Sequence, residues 1–327
     1  MVRTLTAFVF AALLTVAVGT AQAAGPDTKA TARPHVSLML GIARIGDRLI
    51  AVGERGSVLL SDDSGNTWRS APTGSEATLT HITVVGPKSA YAVGWDATIL
   101  RTDDAGESWV KQHEDTSQDN GLFAVVGLPN GHALAAGTYG LFYETEDGKA
   151  WKDLHNDTLD PDAHTNALVT PSADRILLAG EAGNLYLSED AGKAWKHLDF
   201  PYKGSLFGAL ALGADDWLVF GLRGHAFRTQ DAGAHWASLP TDTPVGLMGG
   251  AVLADGRVVL VGSGGTVVVS DAGVTRFSAL PQPQHQTLSD VIQAPDGSVI
   301  AVGDAGISTD ESSFVHIAVP AKVAVKQ

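Results

Sequence analysis

Four acidic residues, Glu54, Asp96, Glu181 and Asp304, stand one or two places after a glycine at recurring points along the chain. Carboxylates in pairs are the apparatus of glycoside hydrolysis, at about 5–5.5 Å for retention or about 6.5–9.5 Å for inversion. Four acids among the fourteen such positions are near what turns carry anyway, so a hydrolytic pair is the weaker reading. The connection from His155 to His164 holds Asp157, Asp160 and Asp162, donors that suit a metal but lack ligand spacing on a defined element. Doublets such as Asp62-Asp63 and Asp103-Asp104 offer oxygens to calcium, although a turn accounts for them equally well. There is no cysteine, which removes disulfides, thiolate metal sites and a cysteine nucleophile. Neither a Gly-x-Ser-x-Gly elbow, a phosphate-binding loop nor a His-Glu-x-x-His pair occurs. No cofactor is expected, and binding is favoured over catalysis.

The scaffold that must carry these residues is a repeat. The segment Ser61-Asp62-Asp63-Ser64-Gly65-Asn66-Thr67-Trp68 is echoed at Thr102 to Trp109, Ser188 to Trp195 and Thr229 to Trp236. Two copies, Thr145 to Trp151 and Ser270 to Phe277, are one residue shorter between the hydroxyl residue and the glycine, and a worn seventh spans Ser308, Asp310 and Phe314. The closing aromatics Trp68, Trp109, Trp151, Trp195, Trp236, Phe277 and Phe314 are 41, 42, 44, 41, 41 and 37 residues apart. A period of about 40–45 residues marks propeller blades. Within the second repeat, four apolar segments are divided by turn residues: His81 to Val85, Ala90 to Gly94, Thr98 to Thr102 and Ser108 to Gln112. The pattern predicts an all-β chain, a seven-bladed β-propeller of four-stranded antiparallel blades.

Each box has a structural explanation. Its Ser or Thr and its Asp offer oxygens to backbone N–H groups in the turn between strands three and four. Gly65, Gly106, Gly148, Gly192, Gly233 and Gly273 can take a positive φ there, and the aromatic ring packs between blades. The boxes are therefore scaffold, and the variable residues lie elsewhere. The turns between strands two and three share a Gly-x-x-Gly-like frame with a changing middle pair. Those pairs are Glu54-Arg55, Trp95-Asp96, Thr138-Tyr139, Glu181-Ala182, Leu222-Arg223, Ser263-Gly264 and Asp304-Ala305. Just inside, after a recurrent Leu at the start of each innermost strand, come Met39, Thr80, Phe123, Phe207, Met248 and Ser289. Apolar groups beside Trp95, Tyr139 and Leu222, with Glu54, Arg55, Asp96, Glu181, Arg223 and Asp304 around them, resemble an interface with an apolar centre and a polar rim. The inner residues serve equally well as core filling, and the outer ones as solvated turns.

Net charge of −14 argues against nucleic acid and against anionic lipid as partners. Residues 1–23 read as a cleavable signal peptide: Arg3 is followed by an apolar run from Leu5 to Val18 and by Ala21-Gln22-Ala23. Export to the periplasm is the expectation, with secretion to the medium as the alternative, and no later stretch is apolar enough to insert in a membrane. Residues 24–34 are expected to be a linker, 35–320 the propeller and 321–327 a tail. How the ring closes is open, through residues Arg33 to Ser37 or through Val315 to Val325.

The boxes Ser61 to Trp68, Thr102 to Trp109 and Ser188 to Trp195 resemble the BNR, or Asp-box, repeats of sialidases, sortilins and xyloglucanases. One array of seven, with Ala51-Val52-Gly53 and Ala92-Val93-Gly94 before the third strands, is most similar to the photosystem II stability/assembly factor family and its relatives in non-photosynthetic bacteria. That resemblance implies an assembly or accessory factor that docks a membrane protein, with a transporter complex of the resistance-nodulation-division type as a candidate partner. Thylakoid members of the family present an arginine-rich patch, whereas this chain offers only Arg55 and Arg223 in the corresponding ring. The alternative is a glycan-binding or sialidase-like hydrolase propeller, but the arginine triad and Tyr–Glu pair of sialidases have no counterpart here.

Overall fold

In a computed structural model, which describes residues 37–118, 120–154, 156–282, 285–304 and 314–320, the repeats form seven antiparallel sheets. The expected signal peptide, linker and C-terminal tail lie outside the described residues. Blade 1 runs from Met39–Ile45 to Arg69–Ala71, and blade 2 comprises Leu79–Val84, Ala90–Gly94, Ile99–Thr102 and Val110–His113. Blades 3 to 6 begin at Leu122–Gly127, Thr165–Val169, Leu206–Ala211 and Leu247–Val252. In all six, sequence order and sheet order coincide, so the chain meanders outward. The fold is a seven-bladed β-propeller. In blade 2 the fourth strand starts at Val110 rather than Ser108, because Ser108 is committed to the box: its N–H and hydroxyl both bond Asp104.

Blade 7 departs from the others. Among the described residues it has three strands, Leu288–Gln293, Val299–Gly303 and Phe314–Ile317. Phe314 pairs with Val302 of the second strand, so it occupies the third-strand place and is not the aromatic that closes a box. Ser308 and Asp310 of the worn seventh copy lie outside the described residues. Blade 7 meets blade 1 through packing: Met39, Leu49 and Trp68 share one buried cluster with Ala294, Ile300 and Val302.

Apart from Arg48 at the start of blade 1's, the second strands are buried along their whole length, as a strand covered on both faces must be. Their residues fill the spaces between blades. Trp109 of blade 2 is buried with Ile50 and Leu60 of blade 1, and Trp195 of blade 4 meets Phe142 of blade 3 edge-on at 5.8 Å. Within the boxes, Thr102 accepts the Gly106 N–H at 2.9 Å and donates to Asp104, while the Trp109 indole donates to the Gly106 carbonyl. Ser61, Ser188 and Thr229 repeat the first two bonds. Five of the box glycines have positive φ, but Gly273 does not: in the shortened sixth copy Val274 takes that role at φ 50°.

Candidate functional site: the turn face and the mouth of the central channel

The turns between second and third strands are built alike in every described case. The residue after the strand-ending glycine donates its N–H to the carbonyl just before the first strand: Glu54 to Leu38, Trp95 to Thr78, Glu181 to His164, Asp304 to Thr287. This close approach explains the glycine. A Cβ on Gly94 would lie 2.1 Å from the Thr78 carbonyl oxygen, and one on Gly137 nearer still to that of Gly121. The second variable residue then sits in the left-handed region, with φ of 54° at Arg55, 57° at Asp96, 48° at Tyr139, 54° at Ala182 and 57° at Arg223. Holding a non-glycine residue there costs about 1–2 kcal/mol. Neighbouring connections hold the turn in place: Gly56 donates to Ala77, Ala97 to Asn120 and Gly140 to Ala163. Each turn is thus a rigid pedestal, and its variable side chains are displayed at fixed places.

Among these residues Trp95, Tyr139 and Leu222 are large, apolar and exposed, Tyr139 to 65%. Arg55, Arg223 and Asp304 are exposed, and Glu54, Asp96 and Glu181 half-buried. The fold brings two of them together. Trp95 meets Phe123 edge-on at 5.9 Å, Phe123 meets His164 at 6.0 Å, and His164 meets Tyr139 at 4.4 Å. The Tyr139 N–H donates to His164 Nδ1, so this aromatic ledge across blades 2 and 3 is tied to the backbone. Leu222 and Arg223 stand apart on blade 5, where Tyr202 stacks on His225 at 4.4 Å and donates to the Leu222 carbonyl. The acids Glu54, Asp96, Glu181 and Asp304 come from blades 1, 2, 4 and 7. Glu181 accepts the His164 N–H, and none of the four forms an ion pair among the described residues. His164 was not distinguishable in sequence from the loop around it. Of that loop's candidate metal donors, Asp160 receives the Asp162 N–H and the Asn184 amide, and His155 lies outside the described residues.

The inner ring needs one correction. Met39 pairs with Gly53 as Leu79 pairs with Gly94, so Met39 takes the place of the recurrent Leu and is fully buried in the core. Leu40 is the channel residue of blade 1, and Asn166 that of blade 4. With Thr80, Phe123, Phe207, Met248 and Ser289 they surround the loop-face end of an axial cavity of about 420 Å³. One residue further in, His81 and Asp290 line the same cavity. Asp290 accepts the N–H groups of Ile42 at 3.1 Å and Val291 at 2.8 Å, and His81 Nδ1 accepts that of Val125 at 3.3 Å. These are edge amides of innermost strands with no ladder partner. Burial pushes the Asp290 carboxyl up to about 7 and the His81 imidazole down to about 4.

The two ends of the molecule differ in how their charges are paired. On the box side, guanidinium groups are paired: Arg48 with Asp62 and Glu107, Arg101 with Asp103, Arg175 with Asp215, Arg228 with Asp216. The turn side, made of the variable turns and the connections between blades, carries among the described residues Glu54, Glu76, Asp96, Glu114, Asp115, Asp157, Asp160, Asp162, Glu181, Asp199, Asp242 and Asp304 against Arg55, Lys203 and Arg223.

A structure of YCF48 from Cyanidioschyzon merolae superposes with a TM-score of 0.66 at 18% identity, covering 84% of this chain and 94% of that one. One described as YCF48 bound to D1 peptide gives 0.67 at 20% identity, covering 84% and 92%. A streptogramin B lyase gives 0.70 at 11% identity, covering 83% and 92%, so the architecture also serves an enzyme. No curated protein sequence matches. The sequence profile of the photosynthesis system II assembly factor YCF48 matches residues 66–311, six blades' worth of the repeat. The chain belongs to that family.

Proposed function

We propose that this protein is a non-catalytic accessory factor that docks a membrane-protein partner on its turn face. The observation that carries the reading is the display of Trp95, Tyr139 and Leu222, exposed on turns whose backbone is hydrogen-bonded into the scaffold. Exposed aromatic groups on a rigid frame lose little entropy on binding and are the usual anchors of protein interfaces. Family membership and the D1 peptide named with one YCF48 structure support a polypeptide as ligand. Glu54, Arg55, Asp96, Glu181, Arg223 and Asp304 form the charged surround that selects the partner. The apolar N-terminal segment supports action in the periplasm, and a transporter complex of the resistance-nodulation-division type is the candidate partner there. The excess of acid on the turn face sets this chain apart from an arginine-patch mode of binding. Substituting Trp95→Ala and Arg223→Glu should weaken partner binding while the melting temperature stays near that of the wild type; intact binding in both variants would refute the face.

A further inference from the structure

Nothing in the docking reading requires a carboxylate inside the axial cavity, yet Asp290 is there. Two backbone N–H groups, those of Ile42 and Val291, reach its oxygens, and among the described residues no cationic side chain pairs with it. Asp290 is half-buried in the cavity wall, and a carboxylate partly withdrawn from water without a counter-charge is costly. His81, the other titratable group on the wall, does not supply the charge: its Nδ1 accepts the Val125 N–H and so carries no proton. Space around Asp290 is kept by glycine, since a Cβ on Gly249 would lie 2.6 Å from the Asp290 Cα. Toward the turn face, Phe123, Phe207 and Met248 precede the acid, with the Phe207 ring and the Met248 methyl both close to Gly246.

A ring of Leu40, Phe123, Phe207 and Met248 interspersed with Thr80, Asn166 and Ser289, followed by a half-buried carboxylate, matches one common chemistry, the alkyl stem and cationic head of arginine or lysine. Resting on the docking reading above, we propose that the mouth of the axial channel receives one arginine or lysine side chain of the partner. Its methylenes lie against Phe123, Phe207 and Met248, and its head pairs with Asp290. The acidic turn face surrounding this mouth concentrates cations before contact and repels acidic competitors. The exposed ledge of Trp95 and Tyr139 anchors the adjoining segment, so a basic residue next to apolar ones is the partner signature that fits.

The test uses the full mature protein at pH 8, where the Asp290 carboxyl is ionised, and two small probes, n-butylguanidinium and its neutral counterpart n-butylurea, titrated by calorimetry and by ligand-observed NMR. The expected result is binding of the guanidinium but not the urea, weakened at least about tenfold in Asp290→Asn. Met248→Lys, which sets an ammonium group in the mouth while leaving Asp290 in place, should abolish probe binding in a protein that melts cooperatively. Equal binding of both probes, or full-strength guanidinium binding by Met248→Lys, overturns the proposal. Partner capture separates it from the reading beneath it. Capture lost in Trp95→Ala but kept in folded Asp290→Asn and Met248→Lys removes the channel proposal alone. Capture kept in Trp95→Ala and Arg223→Glu removes the docking face, whatever the probe does.

Discussion

The indole of Trp95 meets the Phe123 ring edge-on at 5.9 Å and 71°, although one comes from a turn of blade 2 and the other from the first strand of blade 3. The contact joins the displayed turn to the wall of the channel. Trp95 is 37% exposed, so removing it takes more from a partner than from the fold. Trp95→Ala is expected to cost about 2 kcal/mol or more of partner affinity, the scale of an aromatic anchor. Loss of thermal stability should be small by comparison, and a large drop in melting temperature with unchanged affinity would assign Trp95 to the scaffold.

The box hydroxyls are expected to behave as buried acceptors. Thr102 is 1% exposed and its oxygen is the partner of the buried Gly106 N–H at 2.9 Å. Thr102→Val keeps the shape and strands that donor, at a cost of about 1–3 kcal/mol. Urea unfolding should show the loss with the slope unchanged, while partner binding is retained.

Two glycines of the turns should respond differently to alanine. At Gly94 the new methyl group would stand 2.1 Å from the Thr78 carbonyl, where strand one and the turn are already hydrogen-bonded. Gly94→Ala should therefore destabilise by more than about 3 kcal/mol, as overpacking against backbone does. At Gly264, φ is 64° and no atom lies within 4 Å of the built Cβ. Gly264→Ala should cost only the left-handed backbone term, about 1 kcal/mol. Equal costs at the two sites would contradict the close-approach account.

Asp290 and His81 give stability a pH dependence that each hides from the other. The Asp290 carboxyl is raised from 3.8 to about 7 by burial, so the folded state holds an extra proton between those values. Its contribution turns unfavourable as pH rises through that window. The His81 imidazole is lowered from 6.5 to about 4, so its penalty grows as pH falls from 6.5 toward 4. The two slopes oppose one another over their shared range. Asp290→Asn should gain stability above pH 7, with an upper bound of about 4 kcal/mol, and gain none from this source at pH 4. His81→Gln should show its gain at pH 4.5 rather than pH 8. Denaturant unfolding at pH 4.5, 6 and 8 checks both, and a pH-independent difference would contradict them.

The hydrolase alternative makes its own demand. Asp96 and Glu181 belong to blades 2 and 4, and Glu181 already accepts the His164 N–H. A broad glycan panel should give no turnover with the wild type. Turnover abolished by Asp96→Asn or Glu181→Gln would establish the enzyme instead.

Much of the scaffold was readable because blades repeat: Ser or Thr, Asp and Trp recur where the same buried turn recurs, and the paired glycines recur where strand one approaches strand two. Errors arose where the repeat is worn. Leu38-Met39 imitates the Leu79-Thr80 pair one residue out of step, and only the strand register shows Met39 in the core. Phe314 looked like a closing aromatic, yet it pairs with Val302 in the third-strand place. The channel carboxylate was invisible for another reason. A bulge follows each innermost Leu, as between Leu288 and Asp290, so strict alternation misassigns which residues face the axis. His164 gained its role only through the ring of Tyr139, 25 positions away in sequence.

The central claim is that the turn face docks a membrane protein. Its most direct test is capture by tagged wild type, Trp95→Ala and Arg223→Glu proteins from the detergent-solubilised native envelope, quantified by mass spectrometry. The account predicts one membrane protein recovered near stoichiometrically with the wild type and lost with both variants, while all three melt cooperatively. Recovery of the propeller alone, or of the same partner in equal amount with all three proteins, would contradict it.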